Sequence, residues 1–156
     1  MYILYKSYVR PVLDYASVIW SPYTATYINK IERVQRRMSR MIAGIQHLQY
    51  NDRLDDLRLL SLQARRKRFQ LITVFKMIHK LMDCDFNRYF KIQEETRTRG
   101  HRMKLFQKYS KYGYRQHFFT NSCVHLWNLL TEDVVNVSEV SQFKNNIEAL
   151  VRSKFP

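Results

Sequence analysis

From Ser61 to Met82 the chain reads SLQARRKRFQLITVFKMIHKLM, with no glycine or proline to interrupt it. Leu71, Val74, Ile78 and Leu81 recur at helical spacing along one side, and Phe69, Ile72, Phe75 and Met82 along another. A helix that is apolar over most of its circumference belongs inside a core. Ser61 stands where an N-cap is needed. The rest of the chain agrees with a helical fold. Three Gly and three Pro in 156 residues are too few to punctuate many short strands, and a hydrophobic content of 46% argues against disorder. The length suits about one domain with a single core.

Other helices are read from the same signals. One is expected over 2–19, with Pro11 kinking or dividing it. SPYTAT at 21–26 marks a start, where Ser21 or a threonine can cap and Pro22 suits a first turn. That helix should run to about Ala43, with Gly44 at its C-terminal stop. DRLDDLRLL leads into Ser61. Residues 93–113 read as irregular, and helices follow near 116–130 and 140–153, the second capped by Ser138 or Ser141.

Charge is the outlying property: 27 Lys and Arg against 13 Asp and Glu give +14, with a pI near 10.0. Such a domain usually meets a polyanion, most often nucleic acid. The charge lies in blocks: +4 over 30–50, +6 over 61–80, +6 over 91–115, and −3 over 116–150. Within the 26–45 helix, Tyr27, Ile31, Val34, Met38, Met41, Ile42 and Ile45 fall on one face, with Ile28 at its edge. Lys30, Arg33, Arg36, Arg37 and Arg40 fall within roughly 120° on the opposite side. Two readings stand for this stripe. It is a solvated face with Glu32 available for an ion pair, or it tracks phosphates. Arg65, Arg66, Lys67 and Arg68 are consecutive and so point around the whole helix axis. They cannot all face one duplex. Some must lie near packed structure, snorkelling or pairing with acids such as Asp55 or Asp56.

TRTRGHRMKL at 96–105 is a third basic block, and its composition fits an anion-binding loop, an import signal or a solvated connection equally. Tyr109, Tyr112 and Tyr114 could stack on unpaired bases or simply anchor a loop.

Catalytic chemistry finds little support. The five His and two Cys show no metal-ligand spacing, and His79, among apolar residues, reads as a packed histidine. Asp55-Asp56 could in principle bind Mg²⁺, but its amphipathic setting reads as a solvated acidic face. There is no phosphate-cradling Gly-rich loop and no GxSxG. Cys84 and Cys123 make no disulfide framework and fit a reducing compartment. Lys6, Arg10 and Asp14 interrupt the apolar N-terminus, which lacks a cleavage site, so an intracellular protein without a membrane span is expected.

Several blocks, in order, then become recognisable. LYKSYVRPVLDYASVIWSP (4–22), INKIERVQRRMSRMIAGI (28–45) and RLDDLRLLSLQARRKRFQLITVFKMIHKL (53–81) come first. TRGHRMKL (98–105), HFFTNSCVHLWNLL (117–130) and SQFKNNI (141–147) continue the series. Together they resemble the region C-terminal to the palm in non-LTR (LINE-class, jockey-like) retrotransposon reverse transcriptases. The resemblance covers nearly the whole chain. It departs at Thr131, where the family usually has a proline after Trp-Asn-x-Leu, and at Gln63, where a Glu commonly follows Ser-Leu.

The resemblance implies an all-α chain: a helical thumb-like bundle over 1–92, a basic irregular loop over 93–115 and a small C-terminal helical module over 116–156. It implies binding to RNA, DNA or their hybrid, docking to the palm and fingers of a polymerase, and a nuclear location, with neither a membrane nor a small-molecule substrate. The family's aromatic-x-Asp-Asp turn has no counterpart here, so no catalytic residue and no cofactor is expected in this chain. The Mg²⁺ of the full-length enzymes would sit on palm carboxylates that lie outside it. The Met at residue 1, just before LYKSY, suggests a truncated or relic reading frame. The residues expected to meet nucleic acid are Lys30, Arg33, Arg36, Arg37 and Arg40, then Arg65, Arg66 and Arg68. In the loop they are Arg97, Arg99, Arg102 and Lys104, with Gly100 allowing a tight turn. The loop is expected to order only when nucleic acid arrives. The rival expectation is a non-functional or host-adopted remnant that makes protein–protein contacts.

Overall fold

Helices carry the backbone of this computed structural model, which describes residues 1–93 and 100–155. The fold is all-α, and the only β pairing among the described residues is one antiparallel bridge, Ile92 to Leu105. The chain divides into two compact units, Met1–Arg66 with Leu150–Pro156, and Lys67–Ala149. The long helix Leu62–Ile78 and the C-terminal helix Val140–Lys154 each contribute to both units, which no local signal announces.

In the first unit the N-terminal run starts as α-helix at Tyr2–Leu4, widens into a π-turn over Tyr5–Val9 and resumes at Arg10–Asp14. Pro11 explains the widening, because it offers no N–H and its ring crowds the preceding turn. The chain breaks after Tyr15, where Ala16 takes a left-handed conformation, before the short helix Ser17–Trp20. The stripe helix spans Ala25–Arg40 and ends in a turn leading to Gly44 at φ +92°, three residues short of the expected Ala43.

The packed face of that helix is not the one its apolar residues draw. Tyr27, Val34 and Met41 are exposed, while Glu32, Gln35, Met38 and Ser39 are buried. A polar network accounts for the rotation. Tyr5 Oη donates to Gln35 Oε1 (2.6 Å), and Gln35 Nε2 donates to Tyr50 Oη (3.1 Å) and to the Leu60 carbonyl (3.0 Å). Tyr50 Oη donates to Glu32 Oε1, which also accepts the Leu62 amide at 3.1 Å. Around it lie Tyr5, Met38, Leu54 and Leu59, with Tyr2, Ile42, Tyr50 and Leu57 against them. Buried polar groups are tolerated when they are bonded, and here every member makes at least one hydrogen bond, though Glu32 Oε2 bonds no described residue. Gln35→Ala should therefore cost about 2–4 kcal/mol by orphaning Tyr5 Oη and the Leu60 carbonyl and removing one bond to Tyr50 Oη. Chemical denaturation checks this, and a loss under about 1 kcal/mol would contradict it.

In the second unit Leu71, Ile72, Val74, Phe75 and Met77 of the long helix are buried, as its pattern requires. Ser61 Oγ accepts the Ala64 amide at 3.1 Å, the expected cap. The helix ends at Ile78, so Leu81 and Met82 lie outside it and are exposed. Phe75 stacks on Phe143 with centroids 4.2 Å apart, and Trp127 lies 6.0 Å from Phe143. His79 packs on Phe75 at 4.1 Å and contacts the Val135 carbonyl at 3.4 Å, a packed histidine as read. The single helix expected near 116–130 is instead three short ones, Gly113–Gln116, Phe119–Ser122 and Val124–Asn128, followed by Glu132–Val135.

Candidate nucleic-acid interface

All five stripe cations, Lys30, Arg33, Arg36, Arg37 and Arg40, are exposed. Glu32 is the only acid on their helix, and it points inward to Tyr50 and Leu62. The ion pair that the sequence left open to Glu32 is therefore not made. Among the described residues no carboxylate lies within ion-pair distance of any of the five. Lys30 lies 5.4 Å over the Tyr27 ring and Arg36 5.0 Å over Tyr50. Like charges three or four residues apart repel by about 0.2–0.5 kcal/mol per pair. The helix dipole offsets part of this for Arg37 and Arg40 in the last turn. A bound row of phosphates would relieve the rest.

The 65–68 block behaves differently. Arg65 Nε pairs with Asp14 Oδ2 at 2.5 Å, and Arg68 Nη2 with Glu148 Oε2 at 3.5 Å. Of the acids foreseen as partners, Asp55 pairs with Arg152. Arg66 is 1% exposed, and none of its three guanidinium nitrogens bonds a described residue. Burial lowers its pKa, against the opposing pull of Glu32 and Asp14. Arg66 is thus an interior residue and cannot touch a phosphate outside.

In the third block Arg97 and Arg99 lie outside the described residues. The remainder is a docked segment. His101, fully buried, contacts the Trp127 carbonyl through Nε2 at 3.0 Å. The Arg102 amide donates to Glu132 Oε2 (3.0 Å), and Trp127 Nε1 donates to the Met103 carbonyl (2.8 Å). Asn128 closes the clamp, accepting the Leu105 amide and donating to its carbonyl, both at 2.9 Å. Gln93 and Phe106 amides donate to the Lys104 and Lys91 carbonyls at 2.8 and 2.7 Å, tying the loop's base. Residues 101–105 are held by contacts within the protein. Lys104 is 7% exposed and so is not the open phosphate contact expected, whereas Arg102 is exposed. Burial holds the His101 pKa below the ordinary histidine range, so it sits there neutral.

Gly100 has φ +122°, and a Cβ there would come within 3.0 Å of Lys104 Cε. Gly100→Ala should cost about 1–3 kcal/mol, measured as a fall in denaturation midpoint. An unchanged midpoint would contradict that strain.

An apolar surface lies beside the stripe. Met1, Leu4, Val9, Val34 and Met41 line one groove with Met38 and Arg37. Ile3, Tyr8, Val12, Tyr15 and Ile19 are exposed as well. Tyr109, Tyr112 and Tyr114 are all exposed, Tyr109 by 92%, and the last two stack at 5.6 Å. They are not buried anchors. Among the described residues no group of three or more His, Cys, Asp or Glu could hold a metal ion, and no helix is long and apolar enough to cross a membrane. Comparison with protein-family models, curated proteins and solved structures gave no match.

Proposed function

We propose that this chain is a nucleic-acid-binding helical fragment of a non-LTR retrotransposon RNA-directed DNA polymerase. It comprises the thumb and following region, holds the template–primer by its phosphate backbone and does not itself polymerise. The observation that carries the binding is the row of five exposed cations on the Ala25–Arg40 helix, none paired with an acid among the described residues. Phosphates at that row release condensed counterions, so affinity falls as salt rises. The order of the sequence blocks supports the polymerase origin. Arg65 and Arg68 are engaged by acids. Arg102 remains a candidate contact.

The test is a salt-titrated binding assay with an RNA–DNA hybrid, duplex DNA and anionic vesicles. Five phosphate contacts give a slope of log K against log salt of roughly −4. Absence of nucleic-acid binding at low salt would sink the proposal. A second reading has its own observation: the exposed apolar residues of 1–41 suit a protein partner, whether a polymerase palm or the new partner of a remnant. Under the remnant reading, charge removal from the stripe changes no binding activity.

A further inference from the structure

Beside the stripe the chain turns back at Gly44 and encloses a cavity of about 370 Å³ between the helix end and residues 46–53. That volume is in the lower range of ligand sites. Arg36 and Arg40 reach it from the helix, His47 and Tyr50 from the returning chain, and Arg53 from within. No carboxylate lines it. Arg53 is 3% exposed, with Nε donating to Ser39 Oγ at 3.0 Å and Nη1 to the Leu48 carbonyl. Its second terminal nitrogen has no acceptor among the described residues. The Arg36 and Arg53 guanidiniums lie over the Tyr50 ring at 5.0 and 5.7 Å. Tyr50 in turn is fixed by its bond to Glu32. Three guanidiniums line the cavity with no carboxylate among its described lining residues, and one of them is held at its base.

We infer that this cavity is a phosphate subsite, taking one phosphate group of a nucleic-acid strand, with Arg36, Arg40 and Arg53 donating to its oxygens. Guanidinium forks match phosphate oxygens two at a time, and preorganisation of Arg53 lowers the entropy of capture. The stripe tracks a backbone anywhere along its length, whereas this subsite fixes one position. The inference rests on the nucleic-acid reading only for the source of the phosphate.

The test uses the full chain and nuclear magnetic resonance of the arginine Nε–H groups. Inorganic phosphate should shift Arg53 saturably, and R36Q or R40Q should each weaken it about tenfold. K111Q/R115Q, at exposed cations that do not line the cavity, should leave it unchanged, and thermal melts confirm that each variant folds. A 5′-phosphorylated tetranucleotide binding tighter than its 5′-hydroxyl form assigns the site to a strand end. Equal binding of the two, still sensitive to R40Q, assigns it to an internal phosphodiester. No saturable response to phosphate or to either oligonucleotide, or a response indifferent to R36Q and R40Q, overturns the inference. Hybrid binding can survive that outcome, and phosphate binding can survive a failure of hybrid binding, so the two readings fail separately.

Discussion

Replacing Trp127 with alanine is expected to destabilise the protein by about 3–5 kcal/mol. The indole is fully buried, with Phe143 at 6.0 Å and His101 edge-on at 5.9 Å. Its Nε1 also holds the Met103 carbonyl, so truncation leaves a cavity and unties the basic loop together. Two measurements follow: the denaturation midpoint, and hydrogen exchange at the Arg102 and Leu105 amides, which should accelerate. Trp127→Phe should lose less, about 1–2 kcal/mol, because it keeps most of the ring and forfeits the N–H. A Trp127→Ala variant with unchanged exchange at Leu105 would show that the loop is held by something else.

Removing three stripe charges in R36Q/R37Q/R40Q is expected to weaken hybrid binding on the order of a hundredfold at 0.1 M salt. The salt slope should flatten by about 2–3. Stability should hold or rise slightly, because these like charges repel and their side chains are exposed. That combination matters, since loss of binding with loss of fold would carry no information. A triple variant with wild-type affinity and slope would move the interface off this helix and leave the proposed function without its main support.

Some of this was legible before any coordinates. Ser61 as a cap, the buried long helix and the outward cationic stripe follow from side-chain chemistry at fixed helical spacing. These are properties of single segments. The other half of the stripe helix was misread, because Glu32, Gln35 and Ser39 on a wheel look like solvated positions. Tyr5, Tyr50 and Arg53, distant in sequence, are what engage them in the interior. The same holds for TRTRGHRMKL. Its cations read as ligand contacts, yet His101 and Lys104 are buried, and Trp127 and Asn128 bind the segment. Glu32, Gln35 and Ser39, spaced three and four apart on one helix face, are the faint signal that could have pointed to the first network. No comparable signal marked the second.

By itself, the sequence determined an all-α chain, the start of the long helix, the excess of positive charge and its grouping into blocks. Periodicity and charge are local quantities, and a helix displays them whatever it packs against. Tertiary structure alone decided which cations stay outside and which are taken in. Arg40 and Arg66 are the same residue type on helices, yet one is exposed and the other 1% exposed. The difference is set by neighbours remote in sequence: where burial is driven by surrounding apolar area and satisfied polar groups, charge alone cannot keep a side chain in water.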